Sequence, residues 1–170
     1  MPTSIKIYKD LTFLLLPFAY LFAFFNVLFL LSALVNPEIF IFVFAIASFV
    51  IYIFTSRKFL KLGILNEQKF SNKSRMWLKV NTTVSLILCS LFLLNGLGIL
   101  FTSDAQLMEY IESKAKITPG LPKEFDLNML LVVTKRVSAV ILFTSLLALP
   151  HIFLTFRFMK KYSYLFEETL

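Results

Sequence analysis

The stretch that decides the fold runs from Leu11 to Thr55, LTFLLLPFAYLFAFFNVLFLLSALVNPEIFIFVFAIASFVIYIFT, and its only charged side chain is Glu38. A bilayer core of about 30 Å is crossed by a helix of about 20 residues. The stretch therefore holds two spans, Leu11–Val35 and Ile39–Thr55, separated by Asn36-Pro37-Glu38. That tripeptide is a helix-start signal: an Asn cap, Pro at the first helical position, and an acid near the positive helix end. So short a connection makes the two spans an antiparallel hairpin. Pro17 removes one intrahelical hydrogen bond, which predicts a kink or a late start in the first span.

Two further apolar segments, Val80–Thr102 and Val137–Phe156, also lack charge. The chain has 170 residues, 58% of them apolar, and a mean hydropathy of +0.81. An ordinary soluble domain is about half apolar. The expected fold is an all-α membrane protein, four transmembrane helices in an antiparallel bundle forming one domain over residues 1–170. A short amphipathic helix is predicted in the outer connection 103–136, from about Asp104 to Lys116. Ser103 and Gln106 resemble a capping box before it, Leu107, Met108, Ile111 and Ala115 recur at helical spacing, and Pro119-Gly120-Leu121-Pro122 ends it as a turn. Leu127–Thr134 is apolar again, so the last helix is expected to begin before the membrane core. The first span is longer than a signal-peptide core and lacks a small-x-small site after it, so it reads as a span and not a leader.

The net charge of +7 is explained by its placement. Twelve of the basic residues precede the first span, fill the connection 56–79 or follow the fourth span, against five in the connection 103–136. Positive-inside logic puts both termini and the Ser56–Lys79 loop in the cytoplasm. The basic residues then set topology and attract anionic lipid. A nucleic-acid surface would need exposed aromatic stacking platforms on a soluble fold, so no nucleic acid is expected. In the loop, Phe59, Leu60, Leu62, Ile64 and Leu65 alternate with Arg57, Lys58 and Lys61 as an interfacial helix extension, broken by Gly63 and Asn66-Glu67-Gln68. Trp77 between Arg75 and Lys79 reads as a headgroup-level anchor. Lys160 and Lys161, interleaved with Phe158, Tyr162, Tyr164 and Phe166, do the same after the fourth span. A biased usage of Lys, Phe, Ile and Asn over Arg and Gly favours a bacterial inner membrane, with a eukaryotic endomembrane as the other location.

Each span carries small or polar residues at three- and four-residue spacing. They are Ala19, Ala23, Asn26 and Ala33; Ala45, Ser48 and Tyr52; Asn81, Ser85, Cys89 and Gly96; and Thr144, Ala148, His151 and Thr155. Lipid tails give no hydrophobic drive between helices, so such faces hold a bundle together by close approach and hydrogen bonds. A ligand-lining surface is the alternative use. Asn26 and Asn95 lie at equal depth, each fifteen residues into an outward-running span, and an Asn26–Asn95 hydrogen bond is expected. Nearer the cytoplasm His151, Tyr52, Asn81 and Ser85 fall within about two turns of the inner boundary. His151, the only histidine, is expected to be satisfied by Tyr52 or by the carbonyl that Pro150 frees; a proton-sensitive or ligand-contacting cluster is the other reading. Lys135 and Arg136 either pair with Asp104, Glu109, Glu112, Glu124 or Asp126, or bind an anionic headgroup.

Chemistry is poorly provided for. His151 has no neighbouring acid for triad-like catalysis, two-carboxylate hydrolysis lacks its acids in the spans, and the lone Cys89 gives no metal-ligand spacing. No catalytic residue, cofactor or metal is expected. The sequence points to a small polytopic accessory or interaction protein whose partners are the bilayer and another protein or a second copy. A small transporter or channel using the polar faces is the alternative.

Overall fold

A computed structural model describes residues 2–117 and 126–166. Its elements are α1 Thr3–Ala33; a 3-10 turn Pro37–Ile39 leading into α2 Phe40–Lys58, which continues as a π-helix Phe59–Ile64; α3 Asn72–Phe101; α4 Asp104–Ile117; α5 Leu127–Lys161; and a 3-10 turn Ser163–Phe166. No strand occurs among the described residues. Four helices are long and apolar enough to cross a membrane, with 31, 28, 30 and 35 residues.

These helices outrun the apolar segments that announce them. α1 begins at Thr3 and passes through Pro17 without the late start that the proline suggested. Residues around Lys6 and Lys9 are adequate helix formers, so charge ends the apolar run without ending the helix. Asn36 takes the expected cap position with extended backbone (φ −125°, ψ 95°), but its side chain makes no capping hydrogen bond. After α2, the π-helix closes with the Leu65 amide bonded to the Leu60 carbonyl at 3.0 Å, and Glu67 at φ 53° turns the chain away. α4 covers the predicted amphipathic segment, and its capping box forms: the Ser103 amide donates to Gln106 Oε1 at 3.3 Å and the Gln106 amide to Ser103 Oγ at 3.4 Å. Leu107 and Ile111 are its buried pair. The Pro119–Pro122 turn lies outside the described residues.

The chain divides into two compact units, Met1–Ser90 with Leu146–Leu170, and Leu91–Ser145. In the first, α1 packs along α2, with Phe22 edge-on to Phe49 and Tyr20 edge-on to Phe54. The buried side of α1 is Ile5, Tyr8, Thr12, Leu15 and Ala19. Their alternation of three and four residues is the seam of closely packed helices crossing at a shallow angle. The same alternation recurs at Ile46, Phe49, Ile53 and Ser56 of α2 and at Ala148, His151, Thr155 and Phe158 of α5.

In the second unit, α3 and α5 meet at Gly96, where an added Cβ would lie 3.0 Å from Leu142 Cβ. Gly98, two residues on, has open space around the same position. Gly96→Val is therefore expected to destabilise the folded chain by about 1–3 kcal/mol through overpacking. Gly98→Ala should be neutral or stabilise by up to about 1 kcal/mol from helix propensity. Thermal unfolding of the two variants in one detergent checks the pair; equal midpoints would contradict the close approach. In the same unit Lys135 forms an ion pair with Asp104, one of the acids anticipated for it. Both side chains are solvent-accessible, so the pair contributes little.

Candidate functional site

One convergence of polar side chains stands out, and it lies in the first unit on the seams of α1, α2 and α5. Tyr8, Tyr52, His151 and Thr155 have no exposed surface and Thr12 has 3%. Tyr8 stacks on the His151 ring with centroids 4.5 Å apart and planes 10° from parallel, and Phe158 closes the other side of Tyr8 edge-on at 5.1 Å. Tyr52 meets the imidazole edge at 5.5 Å.

Both imidazole nitrogens are hydrogen-bonded to hydroxyls. Thr12 Oγ1 donates to the Tyr8 carbonyl at 2.7 Å, back across one turn of α1, and lies 2.8 Å from His151 Nε2. Tyr52 Oη lies 2.6 Å from Nδ1; in a neutral imidazole one of the two nitrogens donates and the other accepts. Thr155 Oγ1 is 3.0 Å from the Tyr52 oxygen, and its proton is shared between Tyr8 Oη at 3.0 Å and the His151 carbonyl at 2.9 Å. Three helices are thus joined through one ring whose two nitrogens are both used. Burial without partners would be costly for each of these groups, and here the partners are present. His151 is satisfied by Tyr52, as one of its two expected partners, and by Thr12; the carbonyl freed by Pro150 has no part in it.

The other sequence candidates are placed as follows. Asn81 is buried but donates to the Trp77 carbonyl of its own helix at 2.8 Å. Ser85 is fully buried and its hydroxyl has no partner. Neither joins the His151 ring. Asn26 and Asn95 belong to different units: Asn95 is exposed and donates to the Leu91 carbonyl at 2.9 Å, and Asn26 Oδ1 is buried without a partner. An amide on a helix satisfies itself most cheaply on the carbonyl one turn back, which competes with any bond between helices. Arg136 is exposed, beside the paired Lys135. Trp77 is 53% exposed, and Lys160 and Lys161 are exposed.

Two residues expected at the headgroup level are instead interior. Phe158 is buried against Tyr8, and Phe166 is buried in a second cluster. There Phe166 stacks on Phe59 at 5.3 Å and meets Phe70 at 6.0 Å, with the Arg75 guanidinium 5.6 Å from its ring centre. The Phe70 amide donates to the Leu165 carbonyl at 2.6 Å, so the turn after α5 is tied to the segment before α3.

Tyr8 and Thr12 were not singled out by sequence reading, since Tyr8 precedes the apolar run. The available signal was spacing: Tyr8, Thr12, Leu15 and Ala19 extend the small-residue face of α1 by two turns. Among the described residues no group of three His, Cys, Asp or Glu side chains converges as a metal site.

The fold and this ring define an all-helical chain with four helices of membrane-crossing length and a buried polar cluster on the seams of three of them. Comparison with protein-family models, curated proteins and solved structures gives no match.

Proposed function

We propose that the chain is a multi-pass integral membrane protein, an antiparallel four-helix bundle with both termini and the Ser56–Lys79 loop in the cytoplasm. It acts without catalysis, as an accessory or interaction protein of a bacterial inner membrane. The observation that carries this reading is the saturation of the His151 ring. Both of its nitrogens are hydrogen-bonded, to side chains with 0–3% exposure, which suits helix association better than substrate handling. A pathway for a small molecule is the second reading, favoured by the two buried oxygens without partners, Ser85 Oγ and Asn26 Oδ1.

Three measurements test the reading. Gentle detergent extraction followed by mass spectrometry should return a second protein, or a second copy, in fixed ratio to this chain. Flux through liposomes holding the purified chain should be absent; flux that Asn95→Leu or His151→Ala alters would replace the accessory role with transport. A reporter fused to the C-terminus should signal from the cytoplasm, and a signal from outside the cell would reverse the topology.

A further inference from the structure

A groove of about 550 Å³ opens between α1 and the π-helical end of α2. Lys9, Arg57 and Lys61 stand at its mouth with a single acid, Asp10. Among the described residues none of the three cations has an ion-pair partner. From Lys9 the α1 wall descends through Phe13 to Leu16, about 10 Å along the helix axis. The facing wall carries Leu60 and Leu65. The π-helix widens the backbone at this point, a departure from α geometry that recurs at functional sites. Here it sets Arg57, Lys61 and Leu65, four residues apart, along one wall.

Unpaired cations above an apolar trough match one amphipathic ligand class. We infer that this groove holds an anionic phospholipid, its phosphate at Lys9, Arg57 and Lys61 and an acyl chain along Phe13, Leu16 and Leu65. This rests on the membrane reading proposed above. Basic residues at a bilayer surface attract anionic lipid in any case; the groove adds a fixed seat, in which the three cations act on one headgroup.

The test uses the full chain reconstituted in vesicles of equimolar phosphatidylglycerol and phosphatidylcholine, released into the gas phase with its bound lipids. The wild type should retain phosphatidylglycerol over phosphatidylcholine by about tenfold. The triple variant Lys9→Gln, Arg57→Gln, Lys61→Gln should lower that ratio several-fold, leaving the weaker preference that the remaining basic residues give. A second triple, Lys69→Gln, Lys73→Gln, Lys79→Gln, removes equal charge from the same loop outside the groove and should keep the preference. Equal loss in both triples, or no preference in the wild type, would overturn the site. Failure of the membrane reading shows separately, as wild-type chain released from the vesicles by alkaline carbonate.

Discussion

His151→Ala should lower the unfolding free energy of the chain by about 2 kcal/mol. The ring makes two side-chain hydrogen bonds, to Thr12 and Tyr52, and each such bond between membrane helices contributes about 0.6 kcal/mol on average. Its stacking on Tyr8 adds about 0.5–1.5 kcal/mol. Thr155 Oγ1, 3.0 Å from the Tyr52 oxygen, remains as its partner after truncation. Tyr52→Phe removes one donor and keeps the packing, so it should cost about 1 kcal/mol. The double variant should cost less than the sum of the two, because both changes break the same bond. Unfolding in mixed micelles, followed through the single tryptophan, Trp77, gives these values. The assignment fails if His151→Ala is no more damaging than Phe153→Ala, which truncates a side chain that is 63% exposed on the same helix.

Phe59→Ala should be more severe and should act at a different place. Phe59 is 2% exposed and holds Phe166 and Phe70 together, so its truncation removes a buried aromatic ring at a cost of about 3–5 kcal/mol. The first structural consequence is release of the turn Ser163–Phe166 from the segment before α3. Amide exchange at Phe70, whose N–H is bonded to the Leu165 carbonyl, should accelerate by at least about tenfold, as a loss of about 1.4 kcal/mol in local stability already gives. Arg75→Ala removes only a cation–π contact at 5.6 Å and should have a much smaller effect. Unchanged Phe70 exchange in Phe59→Ala would mean that the turn is held by something other than the aromatic cluster.

Hydropathy made the four long helices legible, because uncharged runs such as Val80–Thr102 have few alternatives to a span. It misjudged their ends. α1 carries Lys6 and Lys9 inside the helix, and a window that stops at Leu11 loses Tyr8. The meeting of Tyr52 with His151 could be expected from depth alone, since both lie near one boundary. Thr12 was harder to find: on an almost wholly apolar helix, hydropathy varies little around the axis, and the packed side is marked by side-chain size and hydroxyl groups. Depth also leaves out local competition: the Asn95 amide is taken by the Leu91 carbonyl, already in reach on the same helix. Phe166 reads as an interface aromatic beside Lys160 and Lys161, and only the arrival of Phe59 and Phe70 from elsewhere in the chain makes it interior.

The use of both His151 nitrogens has a consequence for how the chain selects one packing among near-equals. Apolar helices slide past one another at small cost, and a shift of one turn, about 5.4 Å, keeps leucine and phenylalanine in contact with leucine and phenylalanine. Such a shift of α5 would bring Leu147 to the place of His151, opposite Thr12 and Tyr52 deprived of their contacts to the imidazole. Moving α1 by one turn would set Leu16 or Tyr8 where Thr12 stands. Only one register lets the donors and acceptors on three helices match, so the ring penalises slipped alternatives more than it strengthens the correct one. Its variants are therefore expected to broaden the set of helix alignments as well as to weaken the packing of α1, α2 and α5.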